Sequence, residues 1–275
     1  MRPRFAAIAL AFAFFLAGAT GASAGPIAYP SSMAATGDSI TRAFNTGFVP
    51  FTDAPWNSWS TGALRPWTHY RRILAANPQI FGRNYNNARS GARVADLERQ
   101  AGITVLQGVE YVTILIGAND ACASSEAAMT PVAEFRAQFE RAMTTLSAGL
   151  PAARILVVSI PDPYRLWLIL HDDPRAVLAW RLTGFCRSML ERPTSTAPVD
   201  ETRRQRVRQR VVDFNGQLNQ VCAFYVQCRF DGNAVFDYPF RTEHVSTRDY
   251  FHPSLAGQRT LAEVTWAAGY EFSAG

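Results

Sequence analysis

Short, continuously apolar segments alternate along this chain with longer segments in which apolar residues recur at helical spacing. Strands are predicted at residues 33–36, 84–88, 111–116, 154–160 and 228–236. Helices are predicted at residues 67–76, 94–100, 131–146, 176–190, 202–223 and 255–268. Strands that are apolar on both faces and alternate with helices form parallel sheets covered on both sides. The pattern therefore predicts an α/β fold, and ligands of such folds bind beyond the carboxyl ends of the strands.

The first 24 residues have the features of a secretory signal peptide. Arg2 and Arg4 give a basic start, residues 5–17 form an apolar run, and Ala22-Ser23-Ala24 is a small-residue cleavage signal. The run is shorter than the roughly 20 residues that a membrane span needs. We therefore expect cleavage near Ala24, a single domain over residues 25–275, and a secreted protein, extracellular or periplasmic, without a stable membrane span.

Every one of the 27 basic residues is arginine. The lack of lysine excludes Schiff-base chemistry, pyridoxal phosphate anchoring and a P-loop. Loss of Arg2 and Arg4 with the signal peptide would lower the net charge by two, from +5 to +3. An arginine-rich run at residues 203–210 could bind nucleic acid. It lies in a predicted helix with acidic residues nearby, which favours a solvated helix face, and we expect no nucleic-acid partner.

The chain has four cysteines, an even number that favours disulfide bonds in an exported protein. Cys222 and Cys228 would close a short loop, which leaves Cys122 to pair with Cys186. Zinc binding is the alternative. It is disfavoured because no C-x-x-C motif occurs and no histidine stands at ligand spacing beside a cysteine.

The first predicted strand ends in Gly37-Asp38-Ser39-Ile40, where a helix is expected to begin. A serine at such a turn is exposed at the rim of the sheet, and its N–H would lie at a helix N-terminus, where donors face an anion. Ser39 is therefore a candidate nucleophile. The alternative is that Ser39 only caps the following helix.

Two further strand ends supply candidate hydrogen-bond donors. The third strand runs into Gly117-Ala118-Asn119-Asp120, where the neutral amide of Asn119 could stabilise an oxyanion. The second runs into a loop that contains Gly91, whose N–H could approach a substrate closely. Both residues could instead serve only their own turns.

A candidate base and its orienting acid stand near the C-terminus, in Asp249-Tyr250-Phe251-His252-Pro253. An aspartate three residues before a histidine can reach Nδ1 of the imidazole, fix the tautomer and leave Nε2 for the nucleophile. A structural aspartate that caps the next segment is the alternative. Nucleophile, base, acid and donors together favour one acyl-transfer site.

These segments, in this order, resemble the four sequence blocks of GDSL/SGNH hydrolases. The resemblance covers nearly all of the mature chain and implies a flavodoxin-like, three-layer α/β/α sandwich that hydrolyses esters without a cofactor or metal. It implies a catalytic triad of Ser39, His252 and Asp249, and an oxyanion hole formed by Ser39, Gly91 and Asn119. Ile40 replaces the usual leucine of the first block. Residues 58–62, the cysteine pairs and residues 251–254 resemble secreted bacterial esterases and lipases of this family.

We therefore predict a secreted serine esterase or lipase that acts on a small-molecule or lipid ester, and we expect a monomer. A carbohydrate acetyl esterase, a catalytically silent SGNH-like binding module and a metal-dependent phosphoesterase are the alternatives. Among the other histidines, His69 is interpreted as structural, His171 as part of a solvated turn, and His244 as the rival base. Trp56 and Trp59 could bind sugar rings or lipid. Residues 166–170 could line an acyl pocket or simply pack.

Overall fold

A five-stranded parallel sheet forms the centre of the molecule. The computed structural model describes residues 27–273, so the predicted signal peptide lies outside the described residues. The strands of the described part are β1 (Ile27–Ala28), β2 (Met33–Gly37), β3 (Asn84–Asn86), β4 (Tyr111–Leu115), β5 (Arg154–Val157), β6 (Cys228–Phe230) and β7 (Phe272–Ser273). The short strands β1 and β7 pair with each other apart from the main sheet.

The strand order of the main sheet is β3-β2-β4-β5-β6, and every pair is parallel. Counted along the chain within this sheet, the order is 2-1-3-4-5, as in flavodoxin-like folds. The chain leaves β2 for β3 on one side and then crosses back to β4 on the other. The carboxyl ends of β2 and β4 therefore flank the topological switch point, which is where ligands bind in such sheets.

Helices cover both faces of the sheet, as the sequence predicts. They are α1 (His69–Ala76), α2 (Leu97–Gln107), α3 (Ala118–Ala121), α4 (Val132–Gly149), α5 (Pro163–Leu170), α6 (Pro174–Thr183), α7 (Arg187–Leu190), α8 (Pro198–Cys222) and α9 (Leu255–Ala268). Helices α2, α4 and α8 pack on Ala34, Val112 and Ile114 of one face. Helices α1 and α9 pack on the other face, where Met33 and Tyr111 lie. Successive residues of a strand point to opposite faces of the sheet, so each strand packs against helices on both sides. The arrangement is therefore a three-layer α/β/α sandwich.

A third apolar cluster lies outside the sheet and is formed by α5, α6, α7 and the first half of α8. Trp167, Trp180, Met189 and Val207 are buried in it. A disulfide between Cys122 and Cys186 joins this helical cluster to the segment that follows β4, and a second disulfide links Cys222 to Cys228.

Several elements differ from the predicted ones, among them α5, α6 with α7, and β6. The helix predicted at 176–190 is broken into α6 and α7, because Gly184 and Cys186 both take left-handed backbone conformations. The sequence analysis missed α5, although Asp162 caps it and Pro163 occupies its first turn, a common helix start. The fifth predicted strand, 228–236, pairs only at residues 228–230.

The arginine-rich run on α8 is not simply a solvated helix face, since its side chains hold neighbouring elements together. Arg204 is completely buried, and its guanidinium lies 4.0 Å from the ring centroid of Trp167. Ion pairs tie Arg206 to Glu126 and Arg208 to Asp162, and Arg203 donates to the carbonyl oxygens of Arg187 and Ser188 on α7. No helix within residues 27–273 has the length and apolar character needed to cross a membrane.

The two disulfides should contribute unequally to stability. Replacing Cys122 and Cys186 with serine should lower the free energy of unfolding by about 4 kcal/mol in the chain-entropy model, because 64 positions separate the two residues. The matched change at Cys222 and Cys228, 6 positions apart, should cost about 2 kcal/mol. Denaturant unfolding of the two double variants measures both losses. An equal or larger loss for the short loop would contradict this expectation.

Candidate active site

Ser39 lies two residues beyond the end of β2, at the switch point of the sheet. Gly37 ends the strand with φ at 144°, and a β-carbon at this position would collide with the carbonyl oxygen of Leu115 on β4. Only glycine combines this backbone conformation with so close an approach. The pairing of β2 with β4 therefore determines where the Ser39 hydroxyl is presented.

The helix that the sequence predicts after Ser39 does not form. The Arg42 N–H donates to the Asp38 carbonyl oxygen over 3.0 Å, as in one helical turn. Ala43 and Asn45 then take left-handed conformations, which end the turn. The Ser39 N–H thus lies in an irregular turn rather than at a helix N-terminus, and it has no backbone acceptor among residues 27–273.

Asp249 and His252 lie in one loop just before α9, and they connect directly to Ser39. The distance from Asp249 Oδ2 to His252 Nδ1 is 2.7 Å, and that from His252 Nε2 to Ser39 Oγ is 2.9 Å. The other carboxylate oxygen, Oδ1, accepts the backbone N–H groups of Phe251 over 3.0 Å and His252 over 3.1 Å. Residues from the two ends of the domain thus form a continuous hydrogen-bonded series, here called the relay.

Burial and hydrogen bonding set the ionisation of the relay acid. Asp249 is fully buried, which by itself would raise its pKa. The hydrogen bond and charge of His252, together with the backbone N–H groups of Phe251 and His252, hold the pKa of Asp249 below its ordinary value. The carboxylate is therefore ionised at neutral pH and accepts the Nδ1 proton, a tautomer that follows from the hydrogen-bond partners. Nε2 is then the atom that can accept a proton from Ser39.

Asn45 contacts the relay, and the sequence analysis missed it. Its Nδ2 donates to Asp249 Oδ2 over 2.5 Å, and its Oδ1 accepts the backbone N–H of Phe51 over 2.5 Å. Asn45 is buried and has φ at 66°, a conformation that asparagine tolerates better than most residues. No local pattern marks Asn45, because its partner is 204 positions away.

The predicted oxyanion donors follow the ends of β2, β3 and β4, and Asn119 lies in the short helix α3. One Nδ2 hydrogen of Asn119 is donated to the carbonyl oxygen of Ala92 over 2.9 Å, which orients the amide and leaves its second hydrogen for a ligand. The same contact ties the Gly91 loop to Asn119. Gly91 is exposed with φ at 80°, and its N–H, like that of Ser39, has no backbone acceptor within the described residues. The three groups therefore remain available as donors.

A cavity of ≈ 110 Å³ opens beside the Ser39 hydroxyl and the His252 imidazole. Its walls are mainly apolar and include Ile40, Leu166, Ile169, Phe240, Val245, Phe251 and Leu261. On helix α5, Leu166 and Ile169 line the cavity and also pack against the third cluster, in which Trp167 and Leu170 are buried. The rings of Phe44 and Phe185 lie against His252, with centroids 4.7 and 5.7 Å away.

Two buried carboxyl groups follow the ends of β2 and β4, namely Asp38, which precedes Ser39, and Asp120, which follows Asn119. Oδ1 of Asp38 accepts the N–H of Ile40 over 2.9 Å, while Oδ2 has no partner among the described residues. Burial, opposed by the Ile40 hydrogen bond and reinforced by Asp120, raises the pKa of Asp38 to about 7. Asp120 accepts hydrogen bonds from the Val94 N–H and the Thr130 hydroxyl, and burial also raises its pKa. Asp38 is thus a largely protonated group in acidic solution.

The remaining candidates from the sequence are separate from the relay. His69 is buried between Tyr111 and Thr265, and burial lowers its pKa to about 3. His171 stacks on Trp167 and does not line the cavity.

His244 does line the cavity, but its Nδ1 accepts the Arg241 N–H, and the Ser39 hydroxyl is paired with His252. Trp59 is fully buried, so a role in binding sugar or lipid is wrong for this residue, whereas Trp56 is partly exposed. Within residues 27–273 no three His, Cys, Asp or Glu side chains cluster as a metal site would require.

Residues 35–260 match the model of the GDSL-like Lipase/Acylhydrolase family. The chain therefore belongs to this family and is a hydrolase of the GDSL type. No curated protein sequence matches the chain significantly.

Several solved structures share the fold at low sequence identity. The lipase Lip_vut3 from a goat rumen metagenome has a TM-score of 0.56 and 14% identity, over 87% of this chain and 97% of that one. An α/β hydrolase from the metagenome of Lake Arreo, Spain, has a TM-score of 0.53 and 15% identity, over 88% and 95%. An extracellular lipase from Streptomyces rimosus has a TM-score of 0.51 and 18% identity, over 86% and 99%.

Removing the Asn45 amide should weaken the relay without straining the backbone. Asn45→Gly keeps a residue that accepts φ at 66° but loses the donor to Asp249. A hydrogen bond to a charged group is worth roughly 1.5–3 kcal/mol, so kcat should fall about ten- to hundredfold while KM changes little. Asn233→Gly is the matched control, since Asn233 has φ at 68° and does not line the cavity. Equal kcat values for the two variants would contradict a role for Asn45 in the relay.

Asp38 should make stability depend on pH in a defined direction. Its pKa is about 7 in the folded protein against an ordinary value of 3.8. Between these values the folded protein keeps a proton that the unfolded chain has released, so rising pH destabilises the fold by up to about 1.4 kcal/mol per unit. Asp38→Asn removes this titration. Its stability relative to the parent protein should therefore rise from pH 5 to pH 7 and then level off. Denaturant unfolding at several pH values measures the two free energies of unfolding. A difference between variant and parent protein that does not change with pH would contradict this expectation.

Proposed function

We propose that this protein is a secreted serine esterase that hydrolyses carboxylic esters through an acyl-enzyme intermediate. One observation carries the proposal, namely the continuous relay from buried Asp249 through His252 to Ser39, with distances of 2.7 and 2.9 Å. An ionised, buried acid that orients an imidazole against a serine hydroxyl is the arrangement that activates this weak nucleophile.

In the first half of the reaction, Ser39 Oγ attacks the ester carbonyl carbon while His252 Nε2 accepts the hydroxyl proton. The carbonyl oxygen becomes an oxyanion in the tetrahedral intermediate. As the intermediate collapses, His252 gives the proton to the alkoxy oxygen, the bond to the alcohol breaks, and the acyl group stays on Ser39. Asp249 stays ionised throughout and stabilises the imidazolium. In the second half, water attacks the acyl-enzyme with His252 as base, and the acid leaves.

The N–H groups of Ser39 and Gly91 and the Asn119 amide would bind the oxyanion. Two observations support this role. Each group has at least one donor hydrogen without a protein acceptor among residues 27–273, and the three groups follow the ends of neighbouring strands β3, β2 and β4. The Ala92 carbonyl oxygen holds the Asn119 amide in place, so it need not reorganise as charge develops. Neutral donors suit this role because they stabilise a negative charge that appears only during the reaction.

The apolar cavity beside Ser39 supports an ester with an aliphatic or otherwise apolar part. Two disulfides and the signal-like residues 1–24 support export, because disulfides persist in oxidising compartments. We accordingly propose that residues 25–275 form a single SGNH hydrolase domain after cleavage near Ala24.

Ser39→Ala should remove activity without removing the fold. Turnover of 4-nitrophenyl esters should fall on the order of 10⁶-fold, as loss of the nucleophile does in other serine hydrolases. A serine-directed phosphonate should label the parent protein once, at Ser39, and should not label the variant. Ser124→Ala is the control, because Ser124 is exposed and outside the cavity, and it should behave as the parent protein.

Thermal unfolding checks that both variants are folded. Parent protein that neither reacts with the phosphonate nor hydrolyses any ester in a panel of acyl lengths and acetylated glycans would overturn the proposal in favour of a silent binding module.

A further inference from the structure

One wall of the cavity beside Ser39 carries two polar side chains that the mechanism does not use. Arg165, on α5, and His244, just before the relay loop, both line the cavity. Both also contact Phe240, since Arg165 Nε donates to its carbonyl oxygen over 2.7 Å and the His244 ring lies edge-on to its ring at 5.7 Å. Phe240 thus holds the two side chains at one corner of a cavity whose walls are mainly apolar.

The charge of Arg165 is not balanced by a protein carboxylate. Within residues 27–273 no acidic oxygen lies within 4.0 Å of its guanidinium, and only Nε makes a hydrogen bond, which leaves both Nη groups without acceptors. Asp162, the acidic residue of the cavity wall, is already committed. Its Oδ2 is paired with Arg208 over 2.7 Å, and its Oδ1 caps α5 at Tyr164 over 2.9 Å.

His244 offers a second donor at the same corner. Its Nδ1 accepts the backbone N–H of Arg241 over 3.0 Å, so in the neutral ring the proton is on Nε2. Nε2 has no acceptor among the described residues. Arg165 and His244 are half-buried, so their donors without protein acceptors can bind the acceptor atoms of a ligand in place of water.

We propose that Arg165 and His244 form an anion subsite, and that the substrate is an ester that also carries a phosphate or carboxylate group. This inference rests on the proposed esterase function, because the substrate would place its ester carbonyl at Ser39 and its anionic group at Arg165. A guanidinium held at Nε presents its Nη groups in a fixed fork that matches a phosphate or carboxylate. The apolar walls between the two points would cover the aliphatic part of the substrate.

Matched ester pairs test the subsite on the intact protein. The first pair is 4-nitrophenyl hexanoate and the monoanionic 4-nitrophenyl adipate, which have acyl chains of equal carbon number and place the charge on the acyl side. The second is dihexanoylglycerol and dihexanoylglycerol phosphate, which place the charge on the alcohol side. The anionic member of at least one pair should have the higher kcat/KM, by about ten- to hundredfold, and the preferred pair identifies the source of the anion.

The preference ratio is the kcat/KM of the anionic ester divided by that of its neutral partner. Variants at the subsite should change this ratio within the preferred pair. Arg165→Gln should lower the ratio by about ten- to hundredfold, and His244→Gln should lower it by less. Arg165→Lys should retain part of the preference, because lysine keeps the charge and loses the fork. Arg181→Gln, an exposed change on α6 outside the cavity, is the matched control and should keep the parent ratio. A ratio at or below one in both pairs, or a ratio that Arg165→Gln leaves unchanged, would overturn the proposal.

A binding measurement separates the subsite from the esterase function. Calorimetry on the Ser39→Ala variant should show tighter binding of hexyl phosphate or hexanoate than of 1-hexanol, and loss of this difference when Arg165→Gln is added. Tighter anion binding without any ester hydrolysis by the parent protein would retain the subsite and refute the esterase. Ester hydrolysis by the parent protein without tighter anion binding would retain the esterase function and refute the subsite.

Discussion

The side-by-side pairing of β2 and β4 is the constraint on which the rest of the site depends. The register aligns Met33 with Tyr111 and Gly37 with Leu115, so both strands end at the same level. Ser39 and Asn119, which follow these ends, are thereby held at the switch point by backbone hydrogen bonds rather than by flexible side chains. The third group, His252, comes from a separate loop that ends where α9 begins, and the packing of α9 on the face of Met33 and Tyr111 fixes that end of the loop.

The sequence predicted the α/β/α fold because the central strands β2, β4 and β5 are buried on both faces and read as apolar runs, whereas the edge strands β3 and β6 are half-buried and more polar. Ser39 and Asn119 could be selected because each follows such a run, and the Asp-x-x-His spacing is local. The structure brings Ser39, Asp249 and His252 within hydrogen-bonding distance of one another, while their catalytic roles stay a proposal.

Features that depend on long-range contacts or on unusual backbone conformations could not be predicted in this way. The break between α6 and α7 begins at Gly184, a residue that often ends helices, but the left-handed conformation of Cys186 that follows has no clear sequence signal. The burial of Trp59 and of Arg204 depends on which elements pack over them. Asn45 is the sharpest example, because its partner is distant in sequence and its own segment reads as a continuing helix. Residues of this kind are found only once the chain is folded.

The disulfide between Cys122 and Cys186 has a consequence for the walls of the cavity beside Ser39. Cys122 is three residues beyond Asn119, and Cys186 follows Phe185, whose ring lies against His252. The covalent bond therefore joins the wall of the cavity that carries Asn119 to the segment whose Phe185 ring lies against His252. A ligand beside Ser39 thus lies between two segments that are tethered covalently as well as by packing.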